Sequence, residues 1–368
     1  MSTALRPPLP LLTTLRFFAA TEVVVNHSLT LRMENFLTTG LGSAGYQSVT
    51  FFFVLSGFIL TYVYSGAAER DKINVPTWEF WRARVARIYP AYCLGLFLAL
   101  PILLYAAFVS KIMAVEWLLL AFLLVPFLLQ AWWPVAANLW NAPAWSLSVE
   151  ALFYALFPAM VRIGGKVSRN KFLVLAYCAV IAVTVFRYTV LDPYSVPETT
   201  PWNLERFFPP LHLPQFIFGM ALGRLYLFGH PLSPRVHLAF FCLGVIGLLA
   251  VLGIRAWFPW WAQTDAVLAV LFGLVIFGGA RSGDALKILS APVFILLGEV
   301  SYGMYILHIP LQFWWTWLTQ KILGQTLPVV PDFLGYFLFV VGASILSYLY
   351  VEKPMRRRIL GHREHRVA

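Results

Sequence analysis

Long apolar segments recur from one end of this chain to the other, and they constrain its fold more than any other feature. A helix needs about 20 mostly apolar residues to cross the hydrocarbon core of a bilayer. Only 12% of the residues are charged, against roughly 25% in a soluble protein. The sequence therefore predicts an all-α, polytopic transmembrane helical bundle. Eleven candidate segments occupy residues 11–31, 46–65, 88–109, 114–131, 145–161, 172–191, 208–228, 236–254, 264–280, 290–318 and 333–351.

The distribution of Lys and Arg predicts how this bundle is oriented. Most of the 27 basic residues lie in alternate loops and in the tail. Because cytoplasmic loops are enriched in Lys and Arg, we expect a cytoplasmic N-terminus (1–10) and a cytoplasmic basic tail (352–368). The same topology accounts for the net charge of +11 without a nucleic-acid partner. We interpret residues 1–368 as a single membrane-embedded domain.

Two cytoplasmic ends require an even number of crossings, whereas the candidate segments number 11. The stretch 131–145 contains two prolines, two asparagines and four tryptophans. Proline and asparagine interrupt helices, and tryptophan favours the membrane interface. We therefore predict irregular backbone here, with about ten membrane crossings and one re-entrant or partial segment.

The first segment, RFFAATEVVVNHS, carries three ionisable side chains, which are costly in hydrocarbon. Arg16 and His27 are eleven residues apart, so a helix projects both from nearly one face, roughly 16 Å apart along its axis. Glu22 falls on a different face. Arg16 is either a snorkelling anchor or a functional group. His27 is either satisfied at a helix interface or is a proton-transfer group, since its ordinary pKa suits that role.

Arginines precede the third segment on the predicted cytoplasmic side. Arg84 and Arg87 are three residues apart and share a helical face, and Arg82 lies just before them. Planar guanidinium groups suit phosphate oxygens. The alternatives are a binding site for a phosphate-bearing ligand and ordinary positive-inside charge.

Two further stretches place polar groups inside apolar segments. In NAPAWSLSVEALFY, residues 141–154, Glu150 and Tyr154 are four apart and are expected to share a face. In SYGMYILH, residues 301–308, a polar stripe at helical spacing consists of Ser301, Tyr305 and His308. Such stripes line a cavity or a bundle interior, although structural hydrogen bonding is the alternative explanation. For Ser56 and Gly57 in FFFVLSGFIL we favour close helix packing.

These stretches together resemble the acyltransferase-3 family of integral membrane acyltransferases. The matching pieces are RFFAATEVVVNHS, FFFVLSGFIL, RVARIYPAY with its R-x-x-R element, NAPAWSLSVEALFY, SYGMYILH and VEKP, which follow one another over about residues 11 to 355. The resemblance implies a bundle of about ten helices in the bacterial inner membrane. It also implies transfer of an acyl group, commonly acetyl, from cytoplasmic acyl-CoA to a carbohydrate or glycolipid, with no metal. His27, Arg16, Arg84 and Arg87 match positions thought to be essential, whereas Glu22 stands where an apolar residue is expected.

We therefore hypothesise an O-acyltransferase in which Arg84 and Arg87, together with Arg82, hold the CoA phosphates. The pantetheine arm passes Arg16, and neutral His27 takes the proton of an acceptor hydroxyl. Both direct transfer and a covalent acyl-enzyme are compatible with the sequence. Glu150 and His308 are the further catalytic candidates, and the candidates for binding the acceptor are Trp145, Ser148 and Tyr305.

Two other classes of protein compete with this hypothesis. Midspan Arg, Glu and His residues also form proton relays in transporters, and broken helices mark transporter substrate sites. The absence of a visible sequence repeat and the cytoplasmic arginines argue against a transporter. A non-catalytic membrane assembly factor would not need a polar stripe.

Overall fold

A computed structural model of the protein describes residues 6–29, 45–66, 72–191, 199–253, 263–324 and 327–361. Regular structure in these ranges is helical, apart from one isolated bridge between Ser65 and Ile73. The helices are α1 (Pro10–Leu29), α2 (Gly45–Tyr64), α3 (Thr77–Leu104), α4 (Val115–Leu124), α5 (Trp145–Gly165), α6 (Arg169–Phe186), α7 (Thr200–Phe207), α8 (Leu213–Phe228), α9 (Pro234–Gly253), α10 (Asp265–Gly279), α11 (Pro292–Leu323), α12 (Val329–Ser347) and α13 (Lys353–Leu360).

Each of the eleven apolar segments contains a helix, which confirms the all-α membrane class. By length and composition, seven of the described helical stretches are able to span a membrane. The number of crossings stays a prediction, as does the cytoplasmic placement of 1–10 and 352–368, which lie partly outside the described residues. Helix α4 has 10 residues and rises only about 15 Å, half the thickness of the hydrocarbon core. It is therefore too short to cross alone, as a partial segment would be.

The stretch before α5 is irregular, as its prolines and asparagines predicted. Three short 3₁₀ turns cover Gln130–Trp132, Pro134–Ala136 and Ala142–Ala144. Side chains satisfy buried carbonyls here, because Gln130 donates to the Ala144 oxygen at 2.9 Å and Asn141 donates to the Ile306 oxygen at 2.9 Å. The second bond attaches this stretch to α11, so it fixes where α5 begins.

Glycines set the closest helix contacts. A Cβ atom added at Gly57 of α2 would lie 2.0 Å from the carbonyl oxygen of Phe216 in α8. Similarly, a Cβ atom at Gly298 of α11 would lie 2.1 Å from the carbonyl oxygen of Thr13 in α1. Small residues permit such backbone approach in membrane bundles. The second contact seats α1 against α11, and these two helices carry His27 and His308.

Candidate active site

A cavity of about 160 Å³ lies between α1, α2, α3, α5 and α11. Its apolar wall comes mainly from α2 and includes Val49, Phe52 and Leu60. Ser56 faces the cavity whereas its neighbour Gly57 packs against α8, so the two residues serve different purposes. The polar lining residues are Arg16, Ser56, Arg84, Arg87, Ser146, Glu150, Tyr154, Ser301, Tyr302 and Tyr305.

Three of these lining residues are arginines. The Nη2 atom of Arg84 donates to the Tyr64 hydroxyl at 2.7 Å, and the Arg87 guanidinium lies 5.9 Å from the Tyr302 ring centroid. Within the described part of the chain, Arg16 and Arg87 form no hydrogen bond or ion pair. Carboxylates of the described residues interact with both guanidinium groups electrostatically, among them that of Glu299, but make no direct contact with them. Both guanidinium groups are therefore available to hydrogen-bond a negatively charged ligand in the cavity.

The structure separates Arg82 from the other two arginines of its helix. Its side chain donates to the carbonyl oxygen of Ile359 in α13 and does not line the cavity. The shared face predicted for Arg84 and Arg87 is confirmed, because both reach the cavity. Arg82 instead connects α3 to the C-terminal helix.

His27 and His308 lie side by side, with ring centroids 5.0 Å apart. His308 is fully buried, and its Nδ1 atom lies 2.7 Å from the carbonyl oxygen of Tyr305. Because a carbonyl only accepts, this Nδ1 carries the proton and Nε2 of the neutral ring is an acceptor. That Nε2 lies 3.2 Å from His27 Nδ1, which is also 3.0 Å from the Val23 oxygen. His27 thus donates from Nδ1 and keeps its lone pair on Nε2, as a general base requires.

Tyr305 connects this histidine pair to the cavity. It lines the cavity, and its ring centroid lies 6.2 Å from that of His308 one turn later in α11. Ser301, Tyr305 and His308 are all buried, which confirms the predicted polar stripe in the bundle interior. His27 itself does not line the cavity. Tyr305 therefore marks the part of the cavity that lies next to His308.

The candidate residues on α5 divide between the cavity and the surrounding packing. Glu150 lines the cavity and accepts a hydrogen bond from Tyr154 at 3.0 Å, as their spacing predicted. Ser148 is fully buried and donates to the Leu128 oxygen at 2.5 Å, so it fastens the irregular stretch to α5. Trp145 stacks on Tyr46, with ring centroids 6.3 Å apart. Neither Ser148 nor Trp145 reaches the cavity.

A second buried polar group, not singled out from the sequence, joins α6 to α10. Arg187 forms an ion pair with Asp265, and its Nη2 atom lies 3.2 Å from Nδ1 of His212. Asp265 also accepts a hydrogen bond from Thr50 at 2.9 Å. An arginine within an apolar segment was the available signal, but its partners are too distant in sequence to infer.

Comparisons with known proteins identify the family of this chain. The acyltransferase-3 family model, described as an acyltransferase domain, matches residues 10–351. The acyltransferase MdmB of Streptomyces mycarofaciens is 30% identical, over 82% of this chain and 78% of its own length. The O-acetyltransferase OatA of Staphylococcus aureus is 23% identical over 95% of this chain, and the putative peptidoglycan O-acetyltransferase YrhL of Bacillus subtilis is 25% identical over 96%. This chain spans 57% of the length of each of the last two. No solved structure matches it.

The helical bundle and its arginine-lined cavity define a polytopic membrane protein with a buried polar site. With the family model covering nearly its whole length, the chain belongs to the acyltransferase-3 family.

Proposed function

We propose that this protein is a membrane O-acyltransferase that moves an acyl group, most commonly acetyl, from cytoplasmic acyl-CoA to a hydroxyl of a cell-surface or lipid-linked carbohydrate. The observation that carries the proposal is one cavity that contains three arginines and, at Tyr305, lies beside a histidine pair. An assembly factor has no need for this combination, and the family match favours an acyltransferase over a transporter. The acceptor class rests on the relatives, of which one is named a putative peptidoglycan O-acetyltransferase.

Donor binding is assigned to the arginines of the cavity. Arg84 and Arg87 hold the phosphates of CoA, since guanidinium groups pair well with phosphate oxygens. Arg16 comes from α1 and lies on the path from these arginines toward His27. Arg82 is left out of the phosphate site because its side chain is bound to the Ile359 carbonyl. The thin pantetheine arm then brings the thioester to the part of the cavity at Tyr305.

Chemistry is assigned to His27. Its Nε2 atom takes the proton from the acceptor hydroxyl as the hydroxyl oxygen attacks the thioester carbon. The new C–O bond forms, the C–S bond breaks, and the CoA thiolate takes the proton from His27 to leave as the thiol. A positioned general base contributes about 10²–10⁴-fold. Alignment of the two substrates adds to this because the reaction becomes effectively unimolecular.

Glu150 is assigned to positioning at the same cavity. Its carboxylate is held by Tyr154 on the cavity wall, and it is close enough to Arg16 to interact electrostatically. It therefore helps to place Arg16 and the donor. Trp145 and Ser148 contribute indirectly, because they fix the start of α5 from outside the cavity.

The proposal is tested with the purified full-length chain in lipid nanodiscs, [¹⁴C]acetyl-CoA and candidate glycan acceptors. We expect label on an acceptor with the wild-type chain, and none with His27→Ala, while His27→Ala still binds CoA. Label that stays on CoA with every acceptor favours the transporter or the assembly factor. Label bound to the protein in the absence of acceptor supports an acyl-enzyme in place of direct transfer. Turnover that persists in His27→Ala contradicts the assigned base.

A further inference from the structure

The part of the cavity next to the histidine pair carries two hydroxyl groups with no role so far in the reaction. Ser146 Oγ and Tyr305 Oη lie 2.8 Å apart, and each lies 3.1 Å from the carbonyl oxygen of Pro143. Ser146 is 5% exposed and Tyr305 is 7% exposed, yet both line the cavity. They come from different helices, α5 and α11, so tertiary packing alone brings them together.

The surrounding contacts hold this pair in place. Asn141 donates to the carbonyl oxygen of Ile306, which fixes the turn before α5 against α11 beside Tyr305. The Phe52 ring packs edge-on against the Tyr305 ring, with centroids 5.9 Å apart. Donors that are held in advance are the ones that stabilise developing charge without a cost of rearrangement.

A count of protons shows that the pair can serve a ligand. Each hydroxyl has one proton to donate and also accepts hydrogen bonds. The Pro143 carbonyl is satisfied once it accepts one of the two protons. The second proton can then turn from its neighbour to a ligand oxygen, and no buried group loses its last partner.

Acyl transfer creates a need for such a donor. Attack on the thioester places negative charge on its carbonyl oxygen, and Phe52 and Leu147 make this part of the wall apolar. Arg16 is too distant to help, because its position is about 16 Å along α1 from that of His27. Tyr305, in contrast, lies one helical turn before His308, which contacts His27.

We propose that the Ser146 and Tyr305 hydroxyls form an oxyanion-binding pair for the acyl-donor carbonyl. The inference rests on the proposed O-acyltransferase function. In the reaction, the carbonyl oxygen takes the negative charge as the acceptor oxygen bonds to carbon and His27 Nε2 receives the proton. One hydroxyl of the pair donates a hydrogen bond to that oxygen until the C–S bond breaks and the carbonyl re-forms, while the other donates to the Pro143 carbonyl. The hydroxyl that touches the reacting oxygen is catalytic, and its partner is a positioning residue.

The test compares Tyr305→Phe and Ser146→Ala with a matched control, Tyr226→Phe. Tyr226 lies in α8 and does not line the cavity, and its hydroxyl donates to the Ala280 carbonyl at 3.2 Å. For each variant in nanodiscs, kcat and the KM for acetyl-CoA are measured with an acceptor that the wild type uses. We expect kcat to fall about 10²–10³-fold for the two pair variants, the usual effect of losing one oxyanion donor. Their donor KM stays within about twofold of wild type, and Tyr226→Phe keeps kcat near wild type.

Equilibrium binding of CoA and the thermal unfolding midpoint show that each variant is folded. Ser146→Ala removes only one oxygen, so it provides a folded variant if Tyr305→Phe does not fold. A kcat within about threefold of wild type in both variants overturns the pair, as does a loss that Tyr226→Phe matches. If the wild-type chain transfers no label, both the proposed function and the oxyanion-binding pair are contradicted. If the wild type transfers label and both pair variants are as active as it is, only the oxyanion-binding pair is contradicted.

Discussion

The Nε2 atom of His308 lies 3.2 Å from the Nδ1 atom of His27, although 281 positions separate the two residues in the chain. The Tyr305 carbonyl fixes the proton of His308 on Nδ1. His308 therefore acts as a hydrogen-bond acceptor toward His27, and His27 keeps its lone pair on the opposite ring nitrogen. This relationship makes His308 a positioning residue for the proposed base.

Replacing His308 tests that relationship. His308→Gln offers an amide oxygen as an acceptor near the position of Nε2, whereas His308→Leu offers none. We expect kcat to fall up to roughly 10²-fold in His308→Leu, because His27 Nδ1 then keeps only the Val23 oxygen as an acceptor and its ring is oriented less firmly. His308→Gln should retain clearly more activity than His308→Leu, and donor KM should change little in either. Measurement of kcat from pH 5 to 9 separates the two roles, since equal losses and an unchanged pH profile would indicate packing alone.

Arg87 and Arg82 of α3 can be compared directly, because only Arg87 lines the cavity. Arg87→Gln removes a cavity guanidinium, and we expect the KM for acetyl-CoA to rise about tenfold or more, since hydrogen bonds to charged groups are worth about 1.5–3 kcal/mol. Arg82→Gln removes a guanidinium that points to α13, so its donor KM should stay within about twofold of wild type. Initial rates at varied acetyl-CoA measure both. Equal effects of the two substitutions would contradict the assignment of the phosphate site to the cavity.

Gly57 and Gly342 lie in opposite environments, because Gly57 packs against a neighbouring helix and Gly342 faces open space. Gly57→Ala places a Cβ atom against the Phe216 carbonyl oxygen, 2.0 Å away, so α2 and α8 must separate. We expect destabilisation of about 1–3 kcal/mol, typical of overpacking. Gly342→Ala is the control, because no atom lies within 4 Å of its Cβ position, and alanine favours the helix by about 1 kcal/mol. Thermal unfolding in detergent should show a lower midpoint for the first variant and an equal or higher one for the second.

Much of the bundle could be predicted because apolar runs mark helices directly. Each of the eleven runs contains a helix, and the prolines and asparagines of 131–145 marked the irregular turns before α5. Local spacing also predicted which side chains share one face of a helix. Examples are the Tyr154 hydrogen bond to Glu150 and the cavity-facing pair Arg84 and Arg87.

Contacts between different helices could not be predicted from the spacing of residues along the sequence. Nearness in the sequence suggested one role for Arg82 and Arg84, and one region of the site for Trp145, Ser148 and Glu150. Successive residues of a helix differ by about 100° in direction, so only the packing of neighbouring helices decides which of them meets a cavity.

The sequence by itself determined that this chain forms apolar helices with ionisable groups buried along their lengths, because hydrophobic periodicity and length are local properties. Only the tertiary structure decided that His27 meets His308 and that Ser146 meets Tyr305. Those meetings depend on close approach of helices that are distant in the chain, such as α1 and α11 at Gly298, where a Cβ atom would lie 2.1 Å from the Thr13 carbonyl oxygen. Backbone contact of this kind depends on how the helices pack in three dimensions, and the pattern of residues along one segment does not specify that packing.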